Sequence, residues 1–278
     1  MRQVIDRWRA DAPVDSSPTE VPQVGHSKTT HSGDMRHVEQ VMGMPVSVDV
    51  RDPVDVAPLY EDLRRVDARF SPFKPDSEVS RYGRGEVAEV SDELAEVLGI
   101  CSHYERISSG AFTATLPGRP FDPCGVVKGW AVQRAADLLR KQGATRFCVN
   151  AGGDVVAAGE PEPGRPWLVG IRHPELADRM CAVLGVSDLA VATSATYERG
   201  EHILDGRTGL QARGLLSVTV VAADLTTADC VATAAFAMGR HGVAWADAQP
   251  GCLIFAVDAD HVVHRSAGLD RHLIADVT

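Results

Sequence analysis

No two cysteines lie close enough for a CxxC pair, a zinc knuckle or a compact disulfide framework, so Cys101, Cys124, Cys148, Cys181, Cys230 and Cys252 read as reduced cytosolic thiols. No apolar run of about 18 residues occurs, so no membrane-spanning helix is expected. The opening stretch MRQVIDRWRADAPVDSSPTEVPQ lacks the apolar core of a signal peptide or lipoprotein leader, and the expected location is the cytoplasm. Positive charge is also scarce. Against 38 Asp and Glu stand 28 Lys and Arg, a formal net charge of -10, which argues against a broad electrostatic grip on nucleic acid or an anionic membrane. An anionic ligand must then be held by a local site.

What is present suits a globular chain. The 278 residues are 44% hydrophobic and 24% charged, enough for one large domain or two joined halves. Residues 1–34 mix Pro13, Pro18 and Pro22 with Ser, Thr, Asp and His and follow no hydrophobic period, so a mobile tail is expected there and a single domain over 35–278. His26, His31 and His37 are irregularly spaced in polar surroundings and read as solvated side chains. Val38 to Arg51 alternates as a strand, interrupted at Met42-Gly43-Met44-Pro45. Two amphipathic helices follow, over 55–70 and, after the cap candidate Ser91, over 94–107. A third lies between Phe121 and Gly143, with Lys128 near its start and Gly143 as its stop. The runs RFCVN, DVVAAG, WLVGIR, AVLGV, LAVATS, HILD, LLSVTVVAA and CLIFAV read as strands. Helices grouped apart from strands predict an α+β fold, with mixed or antiparallel sheets covered by helices; a duplicated helix-and-sheet plan stays open.

Four segments could do chemistry. FDPCGVVKGW puts glycines and Lys128 at a helix start, where unpaired N–H groups and the dipole suit a phosphate, although a solvated lysine there is equally ordinary. VNAGGDVVAAG places Asn150, Gly153 and Asp154 at a turn that is either a tight hairpin or room for a ligand. LAVATSATYERGEHILDGRTG brings the hydroxyls of Thr193 and Ser194 near His202 and Asp205, for sugar hydroxyls and proton transfer or for plain turn capping. LTTADCVATAAFAMG begins a helix at a Thr226 or Thr227 cap and carries Asp229 and Thr233 four apart on one face. Those oxygens and a loop carbonyl suit a hard cation such as Mg²⁺; the bland reading is an Asp favourable to the dipole and a Thr bonded to its own backbone. Cys124 beside a helix start could have a lowered pKa, but no His, Asn or Asp at a recognisable family spacing accompanies it, and it reads as a small lining residue.

In chain order, VMGMPVSV, RFSPFKPDSEVSRY, SGAFTA, DPCGVVKGWAV, VNAGGDVVAAG, AVATSATYERGEHILDGRTG and TTADCVATAAFAMG resemble the ApbE family, the FAD:protein FMN transferases, over roughly residues 38 to 255. The resemblance implies an Mg²⁺-dependent enzyme that moves FMN from FAD onto a Thr or Ser hydroxyl of an acceptor flavoprotein and releases AMP. It implies metal ligands at Asp229, Thr233 and the carbonyl of Gly125. FAD contacts fall at Met42, Phe73, Ala111, Phe112, Thr113, Asp122, Lys128 and Leu204, with Asn150, Gly153, Asp154, Thr193 and Asp205 in the same motif set. His202 is the general-base candidate beside Asp205, and Lys128 and Asp229 join it as catalytic candidates. A Mg²⁺-dependent FAD pyrophosphatase and a noncatalytic flavin-binding protein are the alternatives.

The chain departs from the family in several places. Phe112-Thr113 stands for an aromatic-aspartate pair, and the connection from there to Asp122 is short, so part of the adenine or acceptor pocket is missing or open. Gln133 replaces a usual acid, Cys124 a common glycine, and HILDG lacks the usual proline. The metal positions survive these changes, while acceptor choice does not follow from them.

Overall fold

Residues 6–7, 35–196 and 203–276 are described by the structure, a computed structural model. In chain order they form β1 (Asp6–Arg7), β2 (Met35–Val41), β3 (Met44–Val50), α1 (Ala57–Phe70), α2 (Glu78–Gly83), α3 (Asp92–Ile107), α4 (Cys124–Lys141), β4 (Phe147–Ala151), β5 (Asp154–Ala158), β6 (Trp167–Arg172), β7 (Met180–Val186), β8 (Leu189–Ala195), β9 (Leu204–Asp205), β10 (Leu210–Gln211), β11 (Leu215–Ala222), α5 (Leu225–Met238), α6 (Arg240–Asp247), β12 (Leu253–Asp258), β13 (Val262–Arg265), a 3₁₀ turn (Ala267–His272) and β14 (Leu273–Asp276). Apart from β1, which lies against β13, the expected tail over 1–34 falls outside the described residues.

The pairings are antiparallel and form a nine-stranded sheet in the order β1-β13-β12-β11-β8-β5-β4-β3-β2, a three-stranded sheet β14-β7-β6 and the small hairpin β10-β9. This is the α+β architecture expected from the separation of helices and strands. One face of the large sheet, through Val48, Val149, Val156 and Val220, packs against Leu63, Leu94, Leu139 and Val231 of the helices. Its other face, through Val155, Val191, Val221 and Phe255, packs against Val169, Ile171 and Leu184 of the small sheet. Strands between two such layers are buried on both sides, which is why β5 reads DVVAA with no alternation. Each fully buried Leu or Phe contributes roughly 1.5–3 kcal/mol of apolar transfer.

Local chemistry sets the ends of the elements that carry the site. The β2–β3 hairpin turns on Met42 and Gly43, both at positive φ (56° and 73°), as two-residue hairpin turns require. Ser91 Oγ accepts from Leu94 N at 3.2 Å and caps α3 as expected. At α5 the cap is Asp224 instead of Thr226 or Thr227: its backbone is extended, and its carboxylate accepts from Thr227 N at 2.9 Å and Thr227 Oγ1 at 2.7 Å. A carboxylate one residue ahead reaches the first-turn N–H groups and leaves both threonines inside the helix. Gln133 Oε1 accepts from Leu225 N at 2.9 Å and joins α4 to the start of α5. Lys128 lies in the second turn of α4, because Asp122 Oδ1 already accepts from Cys124 N at 2.9 Å and starts the helix there. Among the described residues no helix is long and apolar enough to cross a membrane.

Candidate active site

Two glycines let α4 lie against its neighbours. A Cβ on Gly129 would stand 2.7 Å from Asp229 Cβ and 2.8 Å from the Leu225 carbonyl oxygen. One on Gly125 would stand 2.9 Å from Phe112 Cε2 and 3.3 Å from Thr233 Cγ2. No side chain larger than hydrogen fits at either point without moving α5 or the Phe112 ring. The alanines of α5 serve the same end: Ala228, Ala232, Ala234 and Ala235 are fully buried, and the helix sits low between α4 and the sheet.

This approach gathers charge in one place. Asp229, only 2% exposed, accepts from Gly129 N at 2.9 Å through Oδ2 and lies 3.5 Å from Lys128 Nζ through Oδ1. Asp154 is fully buried; its Oδ2 is 2.6 Å from Lys128 Nζ and its Oδ1 accepts from Thr193 N at 3.1 Å. Two buried carboxylates therefore share one ammonium. One helical turn beyond Asp229, Thr233 Oγ1 is 3.5 Å from Ser194 Oγ on β8. Cys230 Sγ donates to the Gly125 carbonyl at 3.6 Å; burial, then the Asp229 charge, push that thiol well above its usual range and keep it a protonated donor.

Lys128, Asp229, Thr233, Ser194 and Gly125 line the floor of a cleft of about 480 Å³. Eleven of the sequence-predicted residues line it: Met42, Phe73, Ala111, Phe112, Thr113, Asp122, Gly125, Lys128, Leu204, Asp229 and Thr233. Phe73, 80% exposed, stands at its lip, whereas Ala111 and Phe112 are buried in its wall. The turn after β9 presses on this wall, with Gly206 N donating to the Ala111 carbonyl at 2.9 Å.

Other predicted residues lie elsewhere. Asp154 sits beneath Lys128 and does not line the cleft. The Thr193 hydroxyl is on the opposite face of the sheet, 2.9 Å from Thr219 Oγ1, because side chains alternate along β8 and Thr193 shares parity with Val191 of the second core. It is Ser194, 4% exposed, that lines the cleft. Asp205 is held by Arg207 at 2.7 Å, a hydrogen bond that lowers its carboxyl below the usual range, and it is absent from the lining. Asn150 Oδ1 accepts from Gly153 N at 3.0 Å, and both serve the β4–β5 turn. His202 lies outside the described residues. Sequence reasoning passed over Met44, Phe70, Pro72 and Arg119, which also line the cleft; the alternation of burial along β3 would have placed Met44 on the inward face.

Among the described residues no group of three His, Cys, Asp or Glu side chains forms a metal cage. The floor offers the Asp229 carboxylate and the Thr233 and Ser194 hydroxyls, with the Gly125 backbone beside them in the lining. Such a set fits a hard, oxygen-seeking cation that completes its shell with water or phosphate, and it does not fit a soft transition metal.

The sequence pattern of the ApbE family matches residues 42–118 and 116–255. The FAD:protein FMN transferase of Vibrio cholerae serotype O1 is 31% identical over 165 residues, 55% of this chain and 49% of that protein. The FAD:protein FMN transferase of Haemophilus influenzae is 24% identical over 244 residues, 64% of this chain and 70% of that protein. The match thus spans about half the length of the Vibrio relative. Among solved structures, the flavin transferase ApbE from Vibrio cholerae superposes with a TM-score of 0.75 at 23% identity, over 86% of this chain and 99% of that one. The ApbE protein from Thermotoga maritima superposes with a TM-score of 0.75 at 24% identity and the same coverage.

Proposed function

The chain belongs to the ApbE family, and from that premise we propose that it transfers the FMN part of FAD to a Thr or Ser hydroxyl of an acceptor protein, releasing AMP. The observation that carries this reading is the floor of the cleft, which Asp229, Thr233 and Lys128 line together with Gly125, Asp229 Oδ1 lying 3.5 Å from Lys128 Nζ. In the proposed reaction the acceptor oxygen bonds to the FMN phosphorus, the bond from that phosphorus to the AMP oxygen breaks, and the hydroxyl proton leaves to a base. His202 is the proposed acceptor of that proton.

The chain's own residues have separate tasks in this scheme. Asp229, Thr233, the Gly125 carbonyl and Ser194 would hold Mg²⁺, which when bound neutralises charge on the phosphoryl oxygens. Lys128 adds positive charge on the same floor, anchored from below by Asp154. Gly125 and Gly129 let α4 lie close enough to α5 to bring Lys128 beside Asp229. Phe73 and Met42 offer apolar surface to a flavin or adenine ring at the upper wall.

The test is incubation of the protein with FAD, Mg²⁺ and candidate Thr-containing acceptors, followed by AMP release and by covalent flavin fluorescence on denaturing gels. A fluorescent acceptor with stoichiometric AMP is expected. AMP with free FMN alone would mean hydrolysis, and FAD binding without AMP would mean a carrier. Asp229→Asn preserves the acceptor for Gly129 N, so it should stay folded while losing Mg²⁺ affinity in calorimetry and at least about a hundredfold in turnover; unchanged turnover would remove Asp229 from the site.

A further inference from the structure

The loop that joins α3 to α4 carries a cation the scheme above does not use. In Leu116-Pro117-Gly118-Arg119, Arg119 N donates to the Leu116 carbonyl at 3.0 Å and Gly118 has φ 74°. Proline second and a positive-φ glycine third is the arrangement of a type II turn. Pro120 follows directly, and Asp122 N donates to the Ala114 carbonyl at 2.9 Å, tying the ends of the loop together. Arg119 is therefore presented at the cleft rim by a stiff turn with little backbone freedom left to lose on binding.

The other charges of the cleft are already engaged. Its acids are Asp67, Asp122 and Asp229 and its bases are Lys128 and Arg119. Lys128 is shared by Asp154 and Asp229, and Asp67 is paired with Lys74 at 2.5 Å. Among the described residues, Arg119 makes no side-chain ion pair or hydrogen bond. An exposed guanidinium held at the cleft rim, with no protein partner among the described residues, suits a ligand bearing phosphates. The two segments of the family match meet at 116–118, so this turn stands where the chain breaks from the family pattern.

We propose that Arg119 binds a phosphate of the dinucleotide's diphosphate from the rim and sets affinity for it, an inference that rests on FAD being the substrate. Arg119 is a binding residue here and takes no part in bond making. In the full chain with Mg²⁺ and acceptor, Arg119→Ala should raise the KM for FAD about tenfold and leave kcat within about twofold. Raising NaCl from about 50 to 500 mM should weaken FAD binding, read by flavin fluorescence, less steeply in the variant than in the unaltered protein. Arg119→Lys, which keeps the charge, should show a smaller rise in KM than Arg119→Ala. An unchanged KM in Arg119→Ala, or a raised KM with an unaltered salt slope, overturns the assignment while the flavin reading stands. An unaltered protein that binds no FAD overturns both, and no variant is needed to see it.

Discussion

Lys128 Nζ stands 2.6 Å from Asp154 Oδ2 and 3.5 Å from Asp229 Oδ1, so one ammonium links a fully buried acid of the sheet to a nearly buried acid of α5. The ammonium closest to the proposed phosphate site is thus also what keeps two carboxylates tolerable in the interior. Removing it leaves both without their shared countercharge, a change of the kind that costs about 3–5 kcal/mol when a pair is fully buried and less for a side chain that keeps 23% exposure. Lys128→Met should accordingly lower stability by about 2–3 kcal/mol in urea melts. The double variant Lys128→Met with Asp154→Asn should recover at least about 1 kcal/mol of that loss. Strict additivity of the two single changes would show that the pair does not couple.

The parts of this arrangement differ in how openly they are written in the chain. Local signals served where the cause is local: Ser91 caps α3, Gly143 follows α4, and the grouped strands become antiparallel sheets. Asp224 was missed as the α5 cap because Thr226 and Thr227, two and three residues on, offered the same chemistry. Eleven residues carried over from the family resemblance meet at the cleft. The role of Asp154 beneath Lys128 could not be read from the VNAGGD turn, since it depends on α4 crossing β5, a contact made only in the folded chain. The turn around Arg119 is plain from its Pro-Gly pair, but its place on the cleft rim is a tertiary fact.

Asp52 supplies a pH-dependent contribution away from the cleft. Burial pushes its carboxyl up, but N–H groups of Thr145 and Arg146, the Arg146 guanidinium and the Thr145 hydroxyl outweigh burial and bring it from 3.8 to about 2. A folded-state value below the unfolded one stabilises the protein above the unfolded value and loses that contribution as pH falls toward the folded one. After discounting for solvent screening, Asp52→Asn should cost about 1–2 kcal/mol at neutral pH. That difference should hold down to about pH 5 and shrink between about pH 4 and 2, measured by chemical denaturation across the range. A gap that widens toward acid would reverse the sign and refute the assignment, and FAD turnover at neutral pH should stay the same.

Thr193 and Ser194 are adjacent in sequence and opposite in space, which allows the site to be tested one residue at a time. The pairing of Thr193 with Thr219 on β11 fixes the register, so Thr193 shares the face of Val191 and Val221 with the small sheet, while Ser194 meets Thr233 on the helix side. Thr193→Val removes the partner of a Thr219 hydroxyl that is 1% exposed, and it should cost about 1–2 kcal/mol of stability with turnover changed less than twofold. Ser194→Ala removes a hydroxyl from the cleft floor; its expected mark is a turnover lower by roughly threefold to tenfold and a higher Mg²⁺ requirement, with little change in melting temperature. Steady-state assays over a Mg²⁺ series on both variants decide the matter. If Thr193→Val is the one that loses turnover, the phosphate-bearing end of the substrate does not lie between α5 and the helix-side face of β8.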